Sequence, residues 1–280
     1  MGSLWHSGLL DALCRLRWVQ HTVFSSCSKV EAPAQGEALS ASYTVSLPET
    51  KGVSADGSAV NKVWYALYNE DGTMATKYAP VDFVNGSAKC EVVMMRGHSY
   101  KIVFVAQYYK DSATPTYPVD AEAGVLGVPS APLANTDQMD LFYGTDEVVA
   151  YNGAATGNVV LDRVVAMVNF VSSDEDWNNA NTQGVVPTHS SIELTSVSTG
   201  LNLLTGAPLA GKTNLTFAKS EIPGSKHIGA AYCIAQGEIG ATINLYTSAD
   251  ENAAPVKTVS LTEVPVEKNK QTNIVGGIIY

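Results

Sequence analysis

The sequence has few positive charges. Its 17 Lys and Arg residues stand against 27 Asp and Glu residues, which gives a formal net charge of −10. Proteins that bind nucleic acid use clustered Lys and Arg to neutralise phosphates, and this chain has no basic run of any length. The composition therefore argues against nucleic acid as a partner.

Clustered cysteines and histidines are also missing. The four cysteines, Cys14, Cys27, Cys90 and Cys233, are far apart, no CxxC pair occurs, and the five histidines stand singly. Zinc sites and disulfide frameworks need closely spaced ligands or paired cysteines. We expect no metal site, and we expect Cys90 and Cys233 to be buried, unpaired residues inside strands.

Motifs for catalysis are absent as well. The sequence contains no GxSxG and no HExxH pattern, and the acidic group Asp174–Asp176 beside Trp177 lacks the alternating spacing of calcium loops. We interpret that acidic group as a solvated loop. We therefore expect that the protein is not an enzyme and that it carries no cofactor.

One stretch, GAPLAGKT from Gly206 to Thr213, matches the Walker A pattern literally. A phosphate site needs a helix directly after this loop, because the helix N-terminus supplies part of the anion site. The following residues, NLTFAKSEIPG, have no helical period, and the acid-terminated apolar run VVLD at Asp162 precedes the loop. We therefore predict a hairpin loop and no nucleotide.

Apolar runs long enough to cross a bilayer do not occur after residue 30. Residues 1–26 form a hydrophobic leader, interrupted by Asp11, Arg15 and Arg17, and followed by a polar tether that contains proline. The leader ends in Phe24-Ser25-Ser26-Cys27, which resembles the lipobox of bacterial lipoproteins, so Cys27 is the predicted lipidation site. The alternative is an amphipathic leader helix with an incidental cysteine.

From residue 39 onward the chain contains a long series of β-strand patterns. Strands are predicted at residues 39–47, 60–68, 99–109, 141–151, 158–171, 191–198, 214–217, 229–236, 240–248, 256–261 and 272–280. Asn85-Gly86 is the best two-residue hairpin signal. Residues 110–140 are predicted to form an excursion with one helical turn near Thr136–Met139. Strands at this spacing indicate antiparallel β-sandwiches.

The proposed domain organisation has three parts. Residues 1–38 are the leader and tether, residues 39–155 an N-terminal sandwich, and residues 156–280 a C-terminal sandwich. The small residues of YNGAATGN, near Gly153–Gly157, mark the boundary between the two sandwiches.

Several of these stretches together resemble the fimbrillin family of Bacteroidetes. They are SSCSK, VNKVWYALYNEDG, YKIVFVAQ, LDRVVAMVNF with Arg163, and PVEKNKQTNIVGGI with Lys268–Gly276. The resemblance implies two tandem transthyretin-like β-sandwiches and export as a lipoprotein to the outer membrane. It further implies a cell-surface or fimbrial location and assembly with other fimbrillin-type subunits by β-strand exchange.

In that scheme a protease removes the first strand, here residues 39–47, and a neighbouring subunit donates a strand. Stalk subunits of the family are cut after an Arg, whereas this sequence has only Lys51 in the loop that follows. The missing Arg suggests an anchor or a free-standing lipoprotein, and the chain end at Tyr280 suggests a tip subunit, so this choice stays open. Asp111-Ser112-Ala113 resembles an O-glycosylation acceptor, with Ser112 as the modified residue.

The sequence therefore predicts a non-enzymatic surface lipoprotein that acts in fimbria assembly or adhesion. The alternative is a surface glycan-binding lipoprotein. In that reading Tyr108, Tyr109 and Tyr117, which lie near the Pro-rich excursion, form a sugar-stacking platform.

Overall fold

The computed structural model describes residues 36–48, 57–131, 133, 137–150, 156–225, 227–234 and 237–279. The leader, Cys27 and Lys51 therefore lie outside the described residues. Within the described ranges, no helix is both long enough and apolar enough to span a membrane.

The described chain is nearly all β, with 59% of the residues in strands and 6% in helix. The strands up to residue 163 are β1 (Ala38–Ser46), β2 (Lys62–Asn69), β3 (Met74–Lys77), β4 (Val81–Asp82), β5 (Ser87–Met95), β6 (Ser99–Gln107), β7 (Val119–Asp120), β8 (Val125–Gly127), β9 (Leu141–Val149), β10 (Thr156–Val160) and β11 (Asp162–Arg163). Those after it are β12 (Val165–Ser172), β13 (His189–Ser198), β14 (Gly200–Asn202), β15 (Lys212–Glu221), β16 (Gly229–Ile234), β17 (Gly237–Tyr246), β18 (Lys257–Val266) and β19 (Gln271–Gly276). The predicted all-β class is confirmed.

The first sandwich stacks a three-stranded sheet, in the order β10-β1-β5, against a larger sheet, in the order β11-β9-β6-β2-β3, with β4 also paired to β2. Its core contains inward residues of both sheets, among them Tyr43, Val92 and Phe104. The Asn85-Gly86 hairpin is confirmed: both residues have positive φ angles, 52° and 79°, as a type I′ turn requires.

The second sandwich repeats the topology of the first. Its small sheet has the order β16-β12-β19 and its large sheet the order β15-β13-β17-β18. In each small sheet, the first strand lies between an antiparallel neighbour and a parallel one: β1 pairs antiparallel with β5 and parallel with β10, while β12 pairs antiparallel with β16 and parallel with β19. The two small sheets are therefore mixed, while the large sheets pair antiparallel, as expected for the predicted antiparallel sandwiches.

The continuous apolar stretches of β2 and β6 are explained by burial on both faces of the large sheet of the first sandwich. One face, with Tyr65 and Phe104, packs against the small sheet. The opposite face, with Trp64 and Val105, belongs to the second hydrophobic cluster together with Leu201. A strand that is covered on both sides loses the alternation of apolar and polar residues.

The excursion after β6 covers much of the face of the large sheet that carries Trp64 and Val105. It also links the two sandwiches. Gln107 exchanges two hydrogen bonds with the backbone of Tyr117, and the Tyr68 hydroxyl donates to the carbonyl of Ala121 at 2.8 Å. Strand β8 of the excursion pairs with β14 of the second half, and a 3₁₀ turn at Asp137–Met139 confirms the predicted helical turn.

The prediction of one long strand at residues 158–171 is wrong. The chain forms β10 in the small sheet, crosses to the large sheet as β11, and then enters the second sandwich as β12. The apolar run correctly indicates burial, because Leu161 and Val164 between the strands are buried as well. Hydrophobicity alone does not tell which sheet buries a residue.

The acidic group at 174–176 is also not a loop. It opens the helix α1 (Asp174–Gln183), which is capped by the Ser173 side chain and ends at Gly184 in the left-handed conformation. Acidic residues in the first turn favour this helix through its dipole. The carboxylate of Asp176 is buried and accepts hydrogen bonds from the Ser172 hydroxyl and the Ile279 amide, both at 2.8 Å.

Candidate functional site

Strand β1 lies in the middle of the small sheet of the first sandwich. It pairs with β5 from Ala38–Met95 to Ser46–Ser87, and with β10 from Ser42–Thr156 to Ser46–Val160. Without β1, strands β5 and β10 would each lose the backbone partner on their facing edges. We call the space that β1 fills between these two strands the β1 groove.

The side chains of β1 alternate strictly between the core and the surface. The inward residues Leu39, Ala41, Tyr43 and Val45 are all buried. The outward residues are small and polar, namely Ser40, Ser42, Thr44 and Ser46. The groove therefore offers two backbone edges and a row of apolar subsites, the features that bind an extended strand.

The subsite of Tyr43 is the most distinctive part of the groove. Its ring lies 5.6 Å from that of Phe104, between centroids, and directly against Gly157. A Cβ atom at position 157 would come within 2.4 Å of the tyrosine ring, so the glycine makes the room for it. Burial, together with the charge and hydrogen bond of the nearby Asp146 carboxylate, raises the pKa of Tyr43 to about 12.

The outer edge of β5, opposite the groove, is closed by tyrosine hydroxyls. Tyr65 donates to the carbonyl of Glu91, and the Tyr78 hydroxyl accepts from the amide of Val93 and donates to its carbonyl. The Tyr100 hydroxyl accepts from the amide of Met95 at 3.2 Å. Unpaired edge groups invite a further strand, and here side chains satisfy them.

Arg163, which helped to carry the family resemblance, forms a buried ion pair. Its Nε and Nη2 atoms donate to the two carboxylate oxygens of Asp140, each at 2.8 Å, and its guanidinium lies 5.1 Å from the centroid of the Phe142 ring. Burial raises the pKa of Asp140, and the hydrogen bonds from Arg163 oppose this shift. The pair fixes the chain at the point where it leaves the first sandwich.

The Walker-like stretch is a loop between β14 and β15, as predicted. Residue Lys212 begins a strand and not a helix, and the Leu209 amide already donates to the carbonyl of Gly200 at 2.8 Å. Gly206 has φ +68° and lies under the ring of Tyr143, where a Cβ atom would approach to 2.5 Å. Gly206 therefore serves packing between this loop and the first sandwich, while Gly211 lies against Thr199.

The other predicted site residues have different surroundings. Ser112 is exposed, in a turn where the Asp111 carboxylate accepts from the amides of Ala113 and Thr114. Tyr109 and Tyr117 are buried, at 4% and 1% exposure, and do not form the predicted sugar platform with Tyr108.

The buried, unpaired state predicted for Cys90 and Cys233 is confirmed. Burial raises the pKa of both thiols to about 12. Among the described residues, no three His, Cys, Asp or Glu side chains come together as metal ligands do.

Several solved structures share this arrangement of strands. A candidate polysaccharide-binding protein (DUF1812) from Bacteroides thetaiotaomicron aligns with TM-score 0.51 and 12% identity, over 79% of this chain and 80% of that chain. A candidate adhesin from Bacteroides ovatus aligns with TM-score 0.50 and 12% identity, over 85% and 87%. The fimbrial anchor protein Mfa2 from Porphyromonas gingivalis aligns with TM-score 0.48 and 12% identity, over 80% and 83%.

By its fold, the chain is a β-sandwich protein similar in architecture to the Bacteroides ovatus candidate adhesin, and this is the fold class that the resemblance implied. Among curated proteins, none is significantly similar to it in sequence. The chain belongs to a family of unknown function, DUF6562, whose model matches residues 33–279.

Proposed function

We propose that this protein is a cell-surface subunit that acts in fimbria assembly or adhesion through exchange of strand β1. The observation that carries the proposal is the β1 groove. Here β1, the first described strand, pairs with two neighbouring strands and also supplies a row of core side chains. The fold, shared with a candidate adhesin, and the fimbrillin-like sequence stretches support the same role.

The physical basis is β-augmentation. A sheet that has lost a central strand exposes two rows of amide and carbonyl groups and an open core, and an incoming strand satisfies both. The closed outer edge of β5 directs such a strand to the groove, because Tyr65, Tyr78 and Tyr100 already bond that edge. The partners are other fimbrillin-type subunits.

The repeated topology also favours β1 as the exchanging strand. Strand β12 holds the equivalent position in the second sandwich, but it runs directly from β11 and is followed by α1. Strand β1 precedes the rest of the described fold, and one cut in the following loop, where Lys51 is the proposed cleavage position, would release it from the chain.

The experiment uses the full chain with a specific protease site inserted between β1 and β2. Mixing cut protein with uncut protein should give oligomers on size-exclusion chromatography. The severed β1 can dissociate, and the emptied β1 groove then accepts a strand of a second molecule. The control carries Ser42→Cys and Glu91→Cys, two facing residues whose disulfide locks β1 in place. Cut protein that stays monomeric with and without this lock would contradict strand exchange.

Membrane attachment is part of the proposal. In the chain that has not been cut at Lys51, a lipid on Cys27 would hold the sandwiches at the outer membrane through the polar tether, since each buried CH₂ contributes ~0.8 kcal/mol. Labelling with palmitate should disappear in Cys27→Ala and persist in the matched variant Cys14→Ala. Label retained in Cys27→Ala would refute the lipid anchor. Ser112 stays the proposed glycosylation site, testable as loss of a glycan mass in Ser112→Ala.

A second candidate function is glycan binding, the description given to one structural neighbour. An open groove of about 630 Å³ beside the excursion includes Trp64, Tyr78, Pro115 and Glu122 in its lining. An aromatic and polar lining of this kind suits a sugar. Glycan-array binding that is lost in Glu122→Gln would favour this function over strand exchange.

A further inference from the structure

We propose that the β1 groove selects a strand with a tyrosine at the position of Tyr43, and that this residue sets the register of the bound strand. The inference rests on the strand-exchange function proposed above. It concerns the chemistry of the partner: an extended segment with an inward tyrosine, a small residue two positions before it and an aliphatic residue two positions after it.

Space for the ring is the first observation. Gly157 faces Tyr43 in the parallel ladder, and any larger residue there would collide with the ring, because even a Cβ atom would come within 2.4 Å. Strand interiors usually avoid glycine, since it contributes no packing, so a glycine at a close approach marks a site shaped for a neighbour. Phe104 completes the aromatic contact at 5.6 Å.

A polar group at the end of the pocket is the second observation. Asp146 is half-buried on β9, near the Tyr43 hydroxyl, and after burial the charge and hydrogen bonding of its carboxylate raise the pKa of that tyrosine. A phenylalanine would fill the space but would remove the hydroxyl from this carboxylate, which would keep only the amide of Glu147 as a donor. A half-buried acceptor that loses a donor still loses part of its hydrogen-bond free energy, so the pocket favours tyrosine over phenylalanine.

The neighbouring subsites are the third observation. Ala41 faces Val92 on β5, and Val45 lies between Ala88 on β5 and Val159 on β10. These positions are lined by aliphatic residues and hold small or β-branched side chains. A strand shifted by two residues would press its tyrosine into one of them, and a shift by one residue would turn all its core residues outward.

The experiment measures incorporation of fluorescent 12-residue peptides (residues 37–48) into full-length protein that has been cut between β1 and β2. The wild-type peptide should bind most tightly. Tyr43→Ala should bind about a hundredfold more weakly, as expected for an emptied aromatic site. Tyr43→Phe should bind about tenfold more weakly, through the lost hydrogen bond, and a peptide with Ala41→Tyr and Tyr43→Ala should bind no better than Tyr43→Ala.

Two variants of the cut protein test whether Asp146 causes the preference for tyrosine over phenylalanine. Asp146→Asn should reduce the preference for tyrosine over phenylalanine to about threefold, because a neutral acceptor makes a weaker hydrogen bond. The matched control Glu147→Gln, which changes the exposed neighbouring residue, should preserve the tenfold preference.

The outcomes separate the two proposals. If the wild-type peptide does not enter the cut protein, strand exchange itself is wrong. If it enters but the Tyr43→Phe peptide binds equally well, or the preference is the same in Asp146→Asn, tyrosine selection is overturned while strand exchange stands.

Discussion

At the scale of single residues, the Arg163–Asp140 pair is the most deeply buried charged contact described in the structure. The two side chains are 2% and 0% exposed. Such a pair adds little net stability over well-packed apolar residues, because both ions lose their hydration, but removing one partner leaves the other charge buried and unpaired. The pair therefore enforces one position for the chain between the sandwiches.

We expect Asp140→Asn to lower the free energy of unfolding by ~3–5 kcal/mol, the cost of breaking a buried pair. The measurement is the urea midpoint at neutral pH. The control is Asp162→Asn, which breaks the exposed pair with Lys268 and should cost at most ~1 kcal/mol. Equal losses of unfolding free energy in the two variants would show that burial does not raise the cost of breaking the Arg163–Asp140 pair.

The sequence could not predict these residue-level partners. Asp140 and Arg163 lie in different elements, and no local pattern joins them. The strand that carries Tyr43 was predicted, yet the pocket of this residue depends on Gly157 and Asp146, which follow more than 100 residues later. Long-range contacts of this kind are set by the register between sheets and leave no periodic signal.

At the scale of elements, the strand edges are protected by several different devices. The edge of β5 is capped by tyrosine hydroxyls, and the edge of β15 is bridged by the backbone of Leu133, which bonds Thr216 and Ala218. Strand β18 carries a register irregularity and a proline, Pro265. Such features limit unwanted strand addition.

Removing the tyrosine cap should expose the edge of β5. We expect Tyr78→Phe to increase the aggregation rate severalfold during incubation near the unfolding midpoint, because the amide and carbonyl of Val93 lose their partner. Light scattering gives the rate. Tyr108→Phe is the control, since this tyrosine makes none of the hydrogen bonds to β5. Identical rates in the two variants would mean that the hydroxyl does not protect the edge.

Elements with strong local signals were predicted well, and elements without them were not. Strand β1, with its clear alternation, and strand β6, with its continuous apolar run, agree with the structure to within two residues at each end. Helix α1 was missed although its signals were present, with Ser173 as N-cap, acids in the first turn and Gly184 after the last residue. The separation of β10, β11 and β12 had no local signal.

At the scale of the whole molecule, the two sandwiches are joined by a shared sheet. Strand β14 pairs with β8, and the Tyr143 hydroxyl donates to the carbonyl of Leu203 at 2.8 Å. Leu126 of β8 and Leu201 of β14 belong to one hydrophobic cluster that includes residues of both sandwiches. The excursion is therefore a structural connector, a role that its proline-rich composition did not predict.

The connector can be tested at Gly200. A Cβ atom there would lie 2.1 Å from the carbonyl oxygen of Leu126, so Gly200→Ala should force β14 away from β8. We expect a cost of ~1–3 kcal/mol, and calorimetry should record a melting temperature lower by several degrees. Gly224→Ala is the control, since no atom lies within 4 Å of its added methyl group. An unchanged melting temperature in Gly200→Ala would contradict a connecting role.

The repeated topology has one more consequence, which concerns how many neighbours each subunit could have. Both small sheets hold a central first strand, but only β1 could be released by a single cut, because no other strand of the described fold precedes it, whereas the first sandwich precedes β12. Under the proposed exchange, each molecule would accept one strand and no more. Subunits with a single acceptor position add end to end, and the resulting polymer would be unbranched.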